Sequence, residues 1–117
     1  MKIDVRFRDL EHSDALRDHA VRRIHFHLGR FRHEISSVQV RISDINGPKG
    51  GVDKQCQVTV RGRRFSAVVI EDLSGDAYSA VDLAVGRAGR SVARDIGRVR
   101  SSRALFALPG TLPRKAS

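Results

Sequence analysis

Residues Lys2 to Arg8 alternate strictly, with Ile3, Val5 and Phe7 on one side and Lys2, Asp4, Arg6 and Arg8 on the other, the period of a half-buried strand. The beat then changes. Ser13 is placed to cap a helix, and Leu16, Ala20, Ile24, Leu28 and Phe31 recur at helical spacings in a stripe that ends near Gly29 to Arg32. Alternation returns with Val38, Val40 and Ile42 against Gln39 and Arg41. It stops at DINGPKGG, where Asn46-Gly47, Pro48 and Gly50-Gly51 mark a loop. A third strand sets Cys56, Val58 and Val60 against Gln55, Gln57, Thr59 and Arg61, and Gly62 turns the chain into a fourth, about Phe65 to Glu71. There Val68-Val69-Ile70 is apolar on both faces, which predicts a central or covered strand. Asp76 is placed to cap a second helix with apolar positions Ala77, Val81, Ala84, Val85, Ala88, Val92, Ile96 and Val99.

The order β-α-β-β-β-α predicts an α+β fold: a four-stranded sheet with two helices packed side by side on one face and the other face wet. The segment ALFALPGTLPRKAS has two prolines and no sustained period. The domain is therefore expected over 1–103, with a flexible tail over 104–117 that docks in part through Leu105 and Phe106.

Length and composition fit this outline, since 117 residues make one domain with a single core. With 40% apolar and 30% charged residues the chain is globular in type, and no apolar run approaches the roughly 20 residues that span a bilayer. The opening residues have no apolar block of the secretory kind, and the single cysteine cannot form an internal disulfide, so a cytoplasmic location is expected. Charge changes the picture more. Twenty-two Lys and Arg against thirteen Asp and Glu give +9, most of the cations being arginine. Such a balance points to a polyanionic partner, nucleic acid ahead of membrane, because no amphipathic segment carries large apolar anchors.

Placement of the charge sharpens this. At 100° per residue Arg87, Arg90, Arg94 and Arg98 fall within an arc of about 80°, nearly opposite the apolar stripe, and form a row about 16 Å long. Arg100 and Arg103 extend it, and glutamate is absent from this helix. A merely solvated face would intersperse glutamates, since like charges at i,i+4 repel, and arginine in place of lysine favours forked contacts to phosphate. Gly86, Gly89 and Gly97 each cost about 1 kcal/mol relative to alanine, which suggests tight packing against the first helix. That helix adds Arg22, Arg23 and Arg30 away from its apolar stripe, so two side-by-side helices would join the basic sets into one patch.

Other chemistry is poorly supported. His25 and His27 point about 160° apart on a helix, and His12, His19 and His33 share no ligand spacing with them, so no metal site is expected. Cys56 falls on the apolar side of its strand and reads as an inert buried thiol. NGPKGG lacks the spacing of a phosphate loop. Asp72, Asp76 and Asp82 read as a capping set at the start of the second helix, and Tyr78 either stacks on a base or packs on the sheet. No catalytic residues and no cofactor are expected, and the protein is expected not to be an enzyme.

LRDHAVRRIHFHLGRF (Leu16 to Phe31), DINGPKGGVDKQCQVTV (Asp44 to Val60) and EDLSGDAYSAVDLAVGRAGRSVAR (Glu71 to Arg94) together resemble the ribosome hibernation-promoting factor and ribosome-associated inhibitor family, also called sigma-54 modulation proteins, over about residues 1 to 100. The resemblance implies a β-α-β-β-β-α domain that binds the small ribosomal subunit and its rRNA in the channel for mRNA and tRNA, silencing translation under stress or in stationary phase. It also implies RNA contacts by Tyr78, Arg87, Arg90 and Arg94 on the second helix and Arg23 and Arg30 on the first; Arg22, Arg98 and Arg100 join them from charge placement alone. Long members carry a second, dimerising domain for which this chain leaves no room, and some short members have an acidic tail where LPRKAS is basic. A short form is expected, monomeric off the ribosome, with no membrane or small-molecule partner. Two alternatives remain open: a double-stranded-RNA module, and a protein-interaction modulator of sigma-54 transcription.

Overall fold

The computed structural model of the protein describes residues 1–45 and 53–107, the side chains of 100–107 excepted. Its elements are β1 (Lys2–Arg8), α1 (Asp14–Leu28) with a 3-10 turn at Gly29–Phe31, β2 (Ile35–Asp44), β3 (Lys54–Gly62), β4 (Val68–Ser74) and α2 (Ala77–Ala107). The strands lie in the order β1-β2-β3-β4. β1 and β2 are parallel, which requires a crossover, and α1 is that crossover. The other neighbours pair antiparallel.

Register converts the period-two patterns into two faces. Ile3, Val38, Val60 and Val68 form one row across all four strands, and Val5, Val40, Val58 and Ile70 form the next. A third row runs through Phe7, Ile42, Cys56 and Asp72. Both helices cover this side, with Ala20, Ile24 and Leu28 of α1 and Val81, Val85, Ala88 and Val92 of α2 fully buried against it. The opposite side carries Arg6, Arg41, Gln57 and Glu71 in one row and Asp4, Gln39, Thr59 and Val69 in another. The α+β fold with both helices on one face is thus the one the alternation predicts.

The helix starts also match. Leu16 N donates to Ser13 Oγ at 3.1 Å, and Ser79 N donates to Asp76 Oδ2 at 3.2 Å. Of the three aspartates expected to cap α2, only Asp76 does so. Asp72 pairs with Arg87 from β4, and Asp82 faces α1, where it accepts from His19.

Two elements differ from expectation. β4 is an edge strand and not a central one, since its only sheet neighbour among the described residues is β3. Val68 faces the helices, while Val69 and Leu73 point outward and stay about half exposed. The apolar run reflects the preference of β-branched side chains for strands, not a second covering layer. The second difference is at the end of α2, which continues to Ala107, past the loss of apolar period at Arg103. A helix needs no buried stripe to persist for one more turn, and Ala104 and Leu105 are good helix formers. Residues 108–117 of the expected tail, and the loop residues 46–52, lie outside the described residues.

The helix-two glycines divide by what surrounds them. A Cβ on Gly89 would lie 3.1 Å from both the carbonyl oxygen and the Cβ of His27, so α1 and α2 cross closely there. A Cβ on Gly97 would meet nothing within 4 Å, and nothing in the structure explains that glycine. Gly97→Ala is therefore expected to stabilise the fold by roughly 0.5–1 kcal/mol through helix propensity. Gly89→Ala should gain nothing or lose stability, because the backbone of α1 cannot yield. Thermal melts of the two variants check this, and an equal rise in both would contradict close packing at Gly89.

Candidate nucleic-acid interface

The close crossing at Gly89 sets the geometry of the charged face. Because Gly86 and Gly89 carry no side chains, a groove of about 400 Å³ opens between the helices, lined by His27 and Arg30 of the first helical segment and by Gly86, Gly89, Arg90, Ala93 and Arg94 of α2. No carboxylate lines it among the described residues. Arg30 of the first set thus meets Arg90 and Arg94 of the second, while Arg22, Arg23, Arg87 and Arg98 do not line the groove. Arg90 makes no hydrogen bond or ion pair among the described residues. Arg94 donates only to Ser91 Oγ, at 3.2 Å, and Arg30 lies 4.6 Å from the ring centre of Phe31.

The row of four arginines does not stay one row. Arg87 Nη1 donates to Asp72 Oδ2 at 2.9 Å and to the Glu71 carbonyl at 3.2 Å, both on β4. Arg98 pairs with Asp95 and lines a hollow with Arg64, Phe65 and Ser66 at the β3–β4 turn. An arc of about 80° is wide enough for its flanks to lean toward different neighbours. Arg90 and Arg94 line the groove beside α1, Arg87 meets Asp72 on β4, and Arg98 meets Asp95 of its own helix. All four remain exposed. The side chain of Arg100 lies outside the described residues.

On α1, Arg22 is exposed and no carboxylate contacts it among the described residues, whereas Arg23 is only about one-third exposed and tied into a network. Its Nε lies 3.3 Å from Asp82 Oδ1, an ion pair without hydrogen-bond alignment. Its Nη2 donates to His27 Nε2 at 2.9 Å. The same Asp82 oxygen lies 2.7 Å from His19 Nε2, and the His19 ring meets Tyr78 edge-on at 5.0 Å. Tyr78 thus packs on α1 through His19 and remains 39% exposed. Asp82 acts as a strut that fixes Arg23 and His19 at the helix-helix seam.

Since guanidinium can only donate, His27 Nε2 must accept, and the ring is neutral with its proton on Nδ1. Burial holds His27 below its ordinary value of 6.5, and the charges of Arg23 and Arg90 lower it further, against a smaller opposing pull from Asp82. The unfolded chain therefore takes up this proton first. His27's contribution to stability is complete above about pH 6.5 and declines as the pH falls below that value, until the folded form is protonated too. Wild type should accordingly lose more stability between pH 7.5 and 5.5 than His27→Gln in denaturant titrations. Equal losses would contradict a neutral, accepting His27.

The outer side of the sheet carries Arg6, Arg41 and Arg61 with Asp4 and Glu71, and part of this charge is paired within the face. Arg6 Nε is 2.7 Å from Asp4 Oδ2, and Gln55 and Gln57 both donate to Glu71 at 3.1 Å. Cys56 is fully buried, and burial, with a smaller push from Asp72, raises its thiol to about 12, so it is a core residue. No described helix is long and apolar enough to cross a membrane.

The periodic pattern did not single out Phe26, Gly86 or Gly89 as parts of this face. Phe26 is 74% exposed on α1 beside Arg23. Its one sequence signal is that it lies off the Leu16–Ala20–Ile24–Leu28 stripe.

Fold and face together define a small α+β domain whose helical layer carries an open cationic groove. The chain belongs to the sigma 54 modulation protein / S30EA ribosomal protein family, whose model matches residues 3–100. It is 29% identical over 85 residues to the chloroplastic ribosome-binding factor PSRP1 of Spinacia oleracea, an alignment that covers 71% of this chain and 28% of that protein. The chain thus spans little more than a quarter of that relative's length. Among solved structures it resembles the N-terminal domain of Thermus thermophilus Protein Y, with a TM-score of 0.67 and 27% identity over 80% of this chain and 98% of the other. A ribosomal subunit interface protein from Coxiella burnetii gives a TM-score of 0.65 at 22% identity, covering 80% and 96%, a likeness of fold.

Proposed function

We propose that this domain is a ribosome-binding translation regulator, without enzymatic activity, that occupies the mRNA and tRNA channel of the small ribosomal subunit and holds ribosomes inactive under stress or in stationary phase. The observation that carries this reading is the groove between α1 and α2, where Arg30, Arg90 and Arg94 converge with no carboxylate among them. Phosphates of rRNA would enter it, and Arg22 and Arg87 would extend the contact on either side. Affinity then comes mainly from displaced counterions, so it is steeply salt-dependent and tolerant of sequence. The name of the relative, a ribosome-binding factor, supports the choice of partner. The domain acts as a monomer in the cytoplasm and needs no cofactor.

Co-sedimentation with purified small subunits tests the reading. Binding is expected to fall steeply between 50 and 200 mM salt and to resist a modest excess of duplex RNA. Stripping by equimolar duplex would favour a general double-stranded-RNA module instead. Retention by a sigma factor that survives high salt and nuclease would favour a transcription modulator.

A further inference from the structure

The exposed ring of Phe26 stands out on the helical layer. It is the most exposed large apolar side chain among the described residues, at 74%. Scattered apolar side chains on a surface are ordinary. This one, however, sits where every helical turn around it carries a cation. Arg22 is exposed beside it, the Arg23 guanidinium lies 5.0 Å over its ring, and the His27 ring stands T-shaped to it, with centroids 4.9 Å apart and planes at 89°. Arg30, at the mouth of the groove, is four residues on, about 6 Å along the helix axis. Helix propensity gives no reason for phenylalanine here, since Lys, Arg or Glu would serve the helix better.

Arg23 and His27 also limit how the ring can be used. Both are held in turn, Arg23 by Asp82 and His27 by Arg23, so the phenyl ring rests against two fixed side chains while it stays 74% exposed. A supported aromatic face within one nucleotide of a phosphate-binding groove has the form of a stacking platform. Duplex bases already stack on one another and cannot offer a face, whereas unpaired bases in loops, bulges and ends can.

We propose that Phe26 stacks on an unpaired base of the RNA whose phosphates occupy the groove between α1 and α2, an inference that rests on the reading under Proposed function and specifies single-stranded RNA as the element recognised. Phe26→Ala is expected to weaken binding to small subunits by about fivefold to 100-fold. The salt dependence should keep its slope because no charge is lost. Phe26→Leu, which keeps apolar bulk without a π-face, should lose nearly as much. Phe26→Trp should retain affinity, and because the chain has no other tryptophan, its emission should be quenched on saturation with subunits. Wild-type affinity in Phe26→Ala or Phe26→Leu, or unchanged Trp emission on saturation, would overturn the stacking proposal alone. Failure of the wild-type protein to bind small subunits would overturn both this proposal and the reading on which it rests.

Discussion

Replacing Arg90 and Arg94 together by glutamate is expected to weaken binding to small ribosomal subunits by about 100-fold or more, with the far-ultraviolet circular dichroism unchanged. Each phosphate contact releases close to one counterion, which at 0.1 M salt is worth about tenfold in affinity. Two lost contacts give about 100-fold, and reversing the charges adds repulsion. The slope of log affinity against log salt should fall by about two. Both side chains project from the solvent side of α2, and no carboxylate holds them, so the fold should not notice their loss. Arg87 and Arg98 should matter less. Each already faces a carboxylate, and Arg87 with Asp72 sums to zero charge. A half-exposed pair is worth under about 1 kcal/mol, so Arg87 can leave Asp72 for a phosphate, but the net gain is smaller. Equal losses for Arg90→Gln and Arg87→Gln would show that the groove is not the centre of the interface.

Ile24→Ala should produce the largest stability change. Ile24 is fully buried under α1, in a row with Ala20 and Leu28 that seals the helix against the sheet. Removing its outer carbons costs the lost transfer energy plus that of the cavity left behind, about 2–5 kcal/mol for buried Ile or Leu to Ala. For a domain near 100 residues this lowers the melting temperature by about 10 °C or more. The folded fraction should still bind subunits at low temperature, because Ile24 does not line the groove. A melting temperature within about 3 °C of wild type would mean that α1 is not packed as described. The two variants thus separate fold from interface: one keeps the fold and loses binding, the other weakens the fold and spares the site.

The fold was legible because its alternation is clean. Val38, Val40 and Ile42, and Val58 and Val60, can face only one way in a strand, and the stripe from Leu16 to Leu28 can face only one way in a helix. What the pattern could not carry was pairing. The apolar doublet of β4 looks the same in an edge strand as in a central one, because the missing neighbour is a matter of topology. The arginine row shows the same limit on the functional side. Its charge and direction are visible in α2, yet Asp72, which neutralises Arg87, comes from another element. Arg98 has its carboxylate, Asp95, three residues back on the same helix, but Arg90 and Arg94 are distinguished from Arg87 only once β4 and α1 flank the helix. The helix cost of Gly89 is visible in the sequence, but its cause, the backbone of His27, lies on another element. Phe26 carries no periodic mark, since it lies off the apolar stripe, and only the fold sets Arg23 and His27 around it.

A cryo-EM map of the protein on the small ribosomal subunit tests the central claim most directly. The helical layer should face rRNA in the mRNA and tRNA channel, with Arg30, Arg90 and Arg94 against backbone phosphates and the outer side of the sheet turned away. Density outside that channel, or the sheet face laid on the RNA with the groove open to solvent, would contradict it.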